Sequence, residues 1–390
     1  MSTGRIPNLI GGEETFGDGL ERHNPADPAE LVAVTPASSA ETVDAAVAAA
    51  AAAQPGWAAM PAPERGAILL DAAEILRGRH EQAARDLVRE EGKTLPEARG
   101  EVRRAIDVLR FFGSEGWRLG GQVLPSSLPD TMVRTRREPV GVVGLITPWN
   151  FPIVFPVWKL ARALISGDTV VLKPAELTPL STRHLTEALV RAGLPAGVLN
   201  VVHGTARHGT GAVAGQALVR DLRVAASPSP APRRSACASN ARCRSAAAGC
   251  RSRWAARTPW SCWTTPTWNG PPGSPRRAAS ASPARQACTA SSRVICTPGV
   301  HDDFVAALAK EAARHRPGDG LADGTSMGLV VSAQHLAKVT AAIEQARAEG
   351  ATVAAGGEAA EGLMSLSAAP RATNCGARTS PDSPRSSTAT

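Results

Sequence analysis

The first pattern that can be read along the chain is helical. Val43, Ala46, Val47 and Ala50 recur at the spacing that lines up apolar side chains on one helix face, and Ser38 followed by Glu41 matches a capping box at its start. Helical periodicity continues over about residues 63–87 and 95–112. TMVRTRREP (131–139) then alternates as a strand does, and residues 140–146 form a continuous apolar run ended by Pro148 and Pro152. Such a run, bounded by turn residues, predicts a strand covered on both faces of a parallel sheet. Beyond it, 158–165 reads as helix, 167–168 as turn, 169–172 as strand, 180–192 as helix and 198–202 as strand. That alternation predicts an α/β fold with a doubly wound sheet and right-handed crossovers. Ligands bind such sheets beyond the carboxyl ends of the strands, which singles out residues 147–150, 173–176 and 203–204. Later, SAQHLAKVTAAIEQARAEG (332–350) reads as an amphipathic helix and ATVAAGG (351–357) as strand and turn. From about Leu363 no period remains.

Composition changes this picture at one place. The 390-residue chain carries 43 Lys and Arg against 35 Asp and Glu, a net +8 that points toward anionic partners. The 69 residues from Ala225 to Arg293 contain 11 Arg but no Lys, no acid and no Ile, Leu, Val, Phe or Met. Taking those eleven charges from the net +8 leaves the other 321 residues at −3, an ordinary balance for an enzyme. Four of the 8 Trp and five of the 7 Cys also fall in that stretch. Without branched aliphatic residues it lacks the material of a core, and residues 225–285 are expected to be irregular. No basic and then apolar leader heads the chain, and no run of 18 apolar residues occurs. The expected location is cytoplasmic, with no membrane partner. Its cysteines would be reduced there, and no CxxC pair points to zinc or another metal.

ITPWNFP (146–152), DTVVLKPAELTPLS (168–181), GVLNVVHG (197–204) and QACTASSRV (286–294) follow one another in that order. With the flanks EEGKTLPEARGEV (90–102) and REPVGVVGLI (137–146), they resemble the aldehyde dehydrogenase superfamily over most of residues 8–224 and 286–360. The resemblance implies the Rossmann-like fold of that family, incomplete here. It divides the chain into a cofactor-binding domain (1–224, with 130–146 partly bridging or oligomerisation strands), an anomalous segment (225–285), a partial catalytic domain (286–362) and an anomalous tail (363–390). It also implies oxidation of an aldehyde to a carboxylic acid with NAD or NADP. QACTASSR with EPVGVVGLITPWNFP leans toward the subgroup that acts on semialdehydes such as 2-oxoglutarate semialdehyde.

The resemblance assigns roles residue by residue. Cys288 is the nucleophile, whose thiolate forms a thiohemiacetal and then a thioester; on its own a lone cysteine is more often inert. Asn150, between Pro148 and Pro152, donates its amide to the developing oxyanion, although a turn asparagine commonly serves only the local backbone. Lys173 and Glu176 meet the adenosine ribose, and a carboxylate there favours NAD over NADP because it repels a 2′-phosphate. Ile146, Thr147, Pro148 and Trp149 line the cofactor path, and Gly204 or Gly211 allows close backbone approach. The resemblance implies a homo-oligomer, with the C-terminal oligomerisation strand expected to be missing here.

Two family motifs are absent: a Ser-Phe-Thr-Gly-Ser-Thr loop and a Glu-Met-Gly-Gly-Lys-Asn motif that carries a general base. Both belong between Val224 and Cys288, inside the anomalous segment. GC-rich codons for residues 254–269, with Arg253 as AGA before them, read one nucleotide away, give Glu-Met-Gly-Gly-Lys-Asn-Ala-Leu-Val-Val-Leu-Asp-Asp-Ala-Asp-Leu. Codons for 227–236 likewise give Ser-Phe-Thr-Gly-Ser-Thr-Ala-Val. The expectation is a frameshifted segment in which the base is overwritten near Arg253, a cation that cannot take a proton. A Glu-x-Phe-Gly-Pro motif is lost after about Gly362, and the HGT repeat at His203 and His208 reads as a small insertion. Poor folding and impaired activity are expected. Two alternatives remain: a non-catalytic pseudoenzyme, and a basic tract that binds nucleic acid through Arg and Trp. The second is disfavoured because the tract has no fold motif and interrupts a family domain.

Overall fold

A computed structural model describes residues 4–205, 213–226, 258–262, 286, 291–296, 298–358 and 371–372. Five short strands open the chain: Gly4–Arg5 (β1), Asn8–Ile10 (β2), Glu13–Thr15 (β3), Gly19–His23 (β4) and Leu31–Pro36 (β5). Four helices follow, Ala40–Ala59 (α1), Ala62–Gly78 (α2), His80–Glu91 (α3) and Leu95–Ser114 (α4). The cap of α1 is Ser39, whose hydroxyl accepts from the Thr42 N–H at 3.3 Å. Ser38 cannot serve there because its hydroxyl bonds Asn8 at 3.0 Å. A capping box does form at α4, where Glu97 accepts from the Thr94 N–H at 3.0 Å. The helical pattern over 63–87 breaks after Gly78 into α2 and α3.

Val123–Leu124 (β6) and Val133–Arg134 (β7) pair antiparallel as an isolated exposed ribbon. Of the alternating stretch 131–139 only two residues pair, because neither face of the ribbon is covered by another element of the described chain. Then come Val142–Ile146 (β8), Val154–Ser166 (α5), Thr169–Lys173 (β9), Pro179–Arg191 (α6), Leu199–Val201 (β10), Val213–Arg220 (α7) and Val224–Ala226 (β11). The six-stranded sheet runs β11-β8-β9-β10-β2-β3, parallel through its first four strands and antiparallel at the β2 and β3 edge. The chain passes from β8 outward to β10 and then returns to the far side of β8, so the strand order reverses between β8 and β11. A crevice opens at such a switch point, beyond the carboxyl end of β8.

Both faces of the sheet are covered, which explains the unbroken apolar runs. Val143, Leu145, Val170 and Leu172 face a core shared with Leu160 and Leu164 of α5 and Leu185 of α6. Val142 and Val171 face the other way, toward Val43 and Val47 of α1 and Leu218 of α7. Gly144 has no room for a side chain there: a Cβ would come within 3.1 Å of Leu218 and Val224. Arg65 joins helices by donating to the Ile165 carbonyl at 3.1 and 3.2 Å and to Ala58 at 3.3 Å. Asp168 accepts from the N–H groups of Val140 and Gly141 at 2.6 and 3.1 Å, fixing the start of β8.

The expectation that residues 225–285 are irregular needs correcting at two places. β11 extends to Ala226, and Thr258–Cys262 (β12) pairs in parallel with Ser291–Cys296 (β13), with a register shift at Pro259. The lack of branched aliphatics argued against packing, whereas ladder pairing uses only backbone groups. Pro298–Ala312 (α8), Ala333–Ala348 (α9), Thr352–Val353 (β14) and Arg371–Ala372 (β15) complete the elements, with α9 and β14 where the sequence predicts them. No described helix is long and apolar enough to cross a membrane.

Candidate active site

Ile146 ends β8, and the chain leaves the sheet through Thr147, Pro148, Trp149 and Asn150 before α5 begins. The buried Thr147 donates its N–H to the Lys173 carbonyl at 3.2 Å, which ties the ends of β8 and β9 together. The Trp149 ring packs edge-on against His335 of α9, with centroids 5.0 Å apart. The Asn150 side-chain amide donates to the Gln286 carbonyl at 2.7 Å. A primary amide has two N–H bonds, and among the described residues only one of them is engaged. The fold thus brings Asn150 to the backbone two residues ahead of Cys288, across 136 positions of sequence.

Buried charge surrounds this loop. Lys93 donates to Glu101 at 2.6 Å and to the Asn150 carbonyl at 3.2 Å, and lies 3.7 Å from Glu91. Burial alone would weaken the Lys93 ammonium, but Glu101 and Glu91 beside it outweigh that and raise its pKa. The other oxygen of Glu101 accepts from the N–H groups of Ile153 and Val154 at 3.0 and 3.2 Å, at the start of α5. Glu90 caps α6 in the same way, accepting from Leu180 and Ser181 at 2.7 and 2.8 Å.

Burial pushes Glu90 up to about 8 and Glu91 up to about 7. For Glu90 the α6 N–H bonds and Arg22 oppose the shift, and for Glu91 Lys93 does. A carboxyl whose folded pKa is raised contributes stability that is complete below its unfolded pKa and lost as pH rises through the folded value. The urea midpoint is therefore expected to fall between about pH 5 and pH 8, with Glu90→Gln flattening that decline. An unchanged slope in Glu90→Gln would show that Glu90 is not its source.

At the end of β9 the side chain of Lys173 is buried and its Nζ donates to the Pro174 carbonyl at 3.1 Å. Burial lowers the Lys173 pKa, opposed by Glu176. A Cβ on Gly215 of α7 would come within 3.7 Å of the Lys173 stem and 3.8 Å of Ile146. Gly204 serves close approach too, but to protein: a Cβ there would lie 2.9 Å from that of Ala214. His203, between these parts, is held neutral by burial and by Lys173, its pKa pushed down to about 3. The bare face of Gly215, the ends of β8 and β9 and the switch point together fit a nicotinamide dinucleotide.

Cys288, Gly211 and Arg253 lie outside the described residues. Among the described residues no group of three or more His, Cys, Asp or Glu could hold a metal ion. A cavity of about 780 Å³ opens elsewhere, beside Met60, Phe111, Arg136, Arg137 and Arg162, and contains none of the candidate site residues. Motif reading did not single out Lys93, Glu101 or Gln286 as neighbours of Asn150. The available signal was in α3, where Glu91 continues the apolar series Ala84, Leu87 and Val88 on the buried face.

Comparison with known proteins agrees with this geometry. The model of the aldehyde dehydrogenase family matches residues 13–227 and 278–367, leaving 228–277 and everything after 367 unmatched. The chain is 40% identical over 375 residues to an alpha-ketoglutarate semialdehyde dehydrogenase of Haloferax volcanii, covering 91% of this chain and 73% of that protein. An alpha-ketoglutaric semialdehyde dehydrogenase of Bacillus subtilis is 36% identical, with 91% and 72% covered. The NAD+ complex of an aldehyde dehydrogenase from Bacillus cereus superposes with a TM-score of 0.86 at 30% identity, over 94% of this chain and 74% of that one. With its sheet, its switch-point loop and this degree of likeness, the chain belongs to the aldehyde dehydrogenase family, NAD(P)-dependent oxidoreductases that act on aldehydes.

Proposed function

We propose that this chain oxidises a semialdehyde, with 2-oxoglutarate semialdehyde the foremost candidate, and that it is impaired in releasing the acid. The observation that carries this reading is the Asn150 amide bonded to the backbone of Gln286, two residues before Cys288. The names of the two relatives supply the substrate class.

Ile146, Thr147, Lys173, Glu176 and Gly215 would hold the dinucleotide, with Glu176 favouring NAD by excluding a 2′-phosphate. The Cys288 thiolate adds to the aldehyde carbon, giving a hemithioacetal whose oxygen takes the negative charge. The remaining Asn150 N–H donates to that oxygen. A nicotinamide held by those residues would supply the hydride acceptor for the same carbon, and Cys288 would then retain the acyl group as a thioester. Release of the acid needs a water from which a base removes a proton. The family's glutamate for that step has no counterpart in residues 225–293, and Arg253 is permanently protonated. A frameshift over residues 225–285 accounts for the composition, and the lack of a family match over 228–277 supports that origin. Self-association fits the exposed β6 and β7 ribbon, where Val123, Leu128 and Met132 face outward.

Rapid mixing with NAD+ and a series of semialdehydes tests the reading. Close to one equivalent of reduced nicotinamide per chain is expected, followed by turnover at least about 100-fold slower, the scale of lost general-base catalysis. Sustained turnover would refute the impairment, and no reduced nicotinamide with any aldehyde would refute the function.

A further inference from the structure

Asn150 is gripped from two sides, and both grips trace back to one stretch, residues 328–331. On one side Lys93 donates to the Asn150 carbonyl at 3.2 Å while paired to Glu101 at 2.6 Å, and its ammonium lies 5.0 Å from the centre of the Phe151 ring. Lys93 sits on a segment joined to that stretch, where Leu329 donates to the Gly92 carbonyl at 2.8 Å. The approach is so close that a Cβ on Gly328 would come within 2.2 Å of the Gly92 carbonyl oxygen and 2.7 Å of the Lys93 Cα. On the other side, the Asn150 amide donates to the Gln286 carbonyl. The buried Gln286 side chain pairs with the same stretch like an added strand residue, donating to the Leu329 carbonyl at 3.1 Å and accepting from the Val331 N–H at 2.8 Å. Arg22 fixes the stretch in turn through the Val331 carbonyl at 2.7 Å.

We propose that Lys93 and Gln286 are positioning residues that hold the Asn150 amide and the segment before Cys288 in mutual register, with residues 328–331 as their common support. The proposal rests on the catalytic reading above for its consequence, though not for its geometry. Lys93 sets the height of the loop by holding the Asn150 carbonyl, and Glu101 ties that ammonium to the first turn of α5. The backbone of residues 150–154 is thereby fixed at both ends by one ion pair. Gln286 fixes the opposite wall through two bonds that any shift along residues 329–331 would break together.

The test uses the full chain and the double variant Lys93→Met with Glu101→Gln. An unpaired buried charge would endanger folding in either single variant, whereas the double variant removes both charges and leaves the Gln carbonyl able to accept from Ile153 and Val154. A second variant, Gln286→Met, keeps side-chain length and removes both polar groups. Hydrogen exchange followed by mass spectrometry reads the loop without any activity. Amides within 147–154 are expected to exchange about tenfold faster in the double variant, while those of β9 and α6 keep the parent rates. In parallel, the hydride-transfer rate at saturating aldehyde should fall at least tenfold in both variants, with the half-saturating aldehyde concentration changed less than twofold. A merely structural role would instead speed exchange throughout the sheet and scale activity with the folded fraction. Parent-like exchange at 147–154 in the double variant would overturn the proposal. If the parent itself forms no reduced nicotinamide, the catalytic reading fails, and exchange still decides whether Lys93 holds the loop.

Discussion

Asn150→Ala is expected to slow hydride transfer by 10²–10³-fold, about 3–4 kcal/mol of lost oxyanion stabilisation. Two links lead to that figure. The amide sits where β8 leaves the sheet and is bonded to Gln286 at 2.7 Å, so it is aimed before substrate arrives. The negative oxygen exists only once the thiolate has added, so the loss should appear in the rate and little in the half-saturating aldehyde concentration. Asn150→Asp should be slower still, because a carboxylate repels both the oxyanion and the Gln286 carbonyl. The check is the burst rate under rapid mixing. A rate for Asn150→Ala within twofold of the parent would remove Asn150 from the mechanism.

Restoring the alternative frame across residues 225–285, which leaves Cys288 in place, should have a larger effect. The restored text supplies Glu-Met-Gly-Gly-Lys-Asn followed by an aliphatic run, and so returns both a base and core material. General-base catalysis contributes 10²–10⁴-fold, so a single burst should become sustained turnover. Packing should improve too, and a gain of a few kcal/mol would raise the thermal midpoint by roughly 4 °C for a chain of this size. Steady-state assay and a thermal melt of both proteins decide the matter. An unchanged turnover number would show that the missing glutamate is not the limitation.

The parts legible in the sequence are those where a local pattern reports a local cause. Residues 140–146 read as a doubly covered strand because α1 and α7 pack on one face and α5 and α6 on the other. Asn150 stood out through its place in ITPWNFP, just after such a strand. The cap of α1 was misplaced by one residue because Ser38 is claimed by Asn8, a contact 30 positions away. Lys93 and Gln286 escaped for the same reason: their bonds to Asn150 span 57 and 136 positions, and no periodicity records them. β12 escaped because its pairing with β13 rests on backbone groups that composition does not encode.

The central claim is that Cys288 takes the aldehyde, gives up a hydride and keeps the acyl group for want of a base. Cleavage after arginine releases QACTASSR, residues 286–293, a peptide that contains Cys288 and no other cysteine of the chain. After incubation with 2-oxoglutarate semialdehyde and NAD+, mass spectrometry should find that peptide acylated, in proportion to the reduced nicotinamide formed. An unmodified peptide, or the acyl group on any other cysteine, would contradict the account.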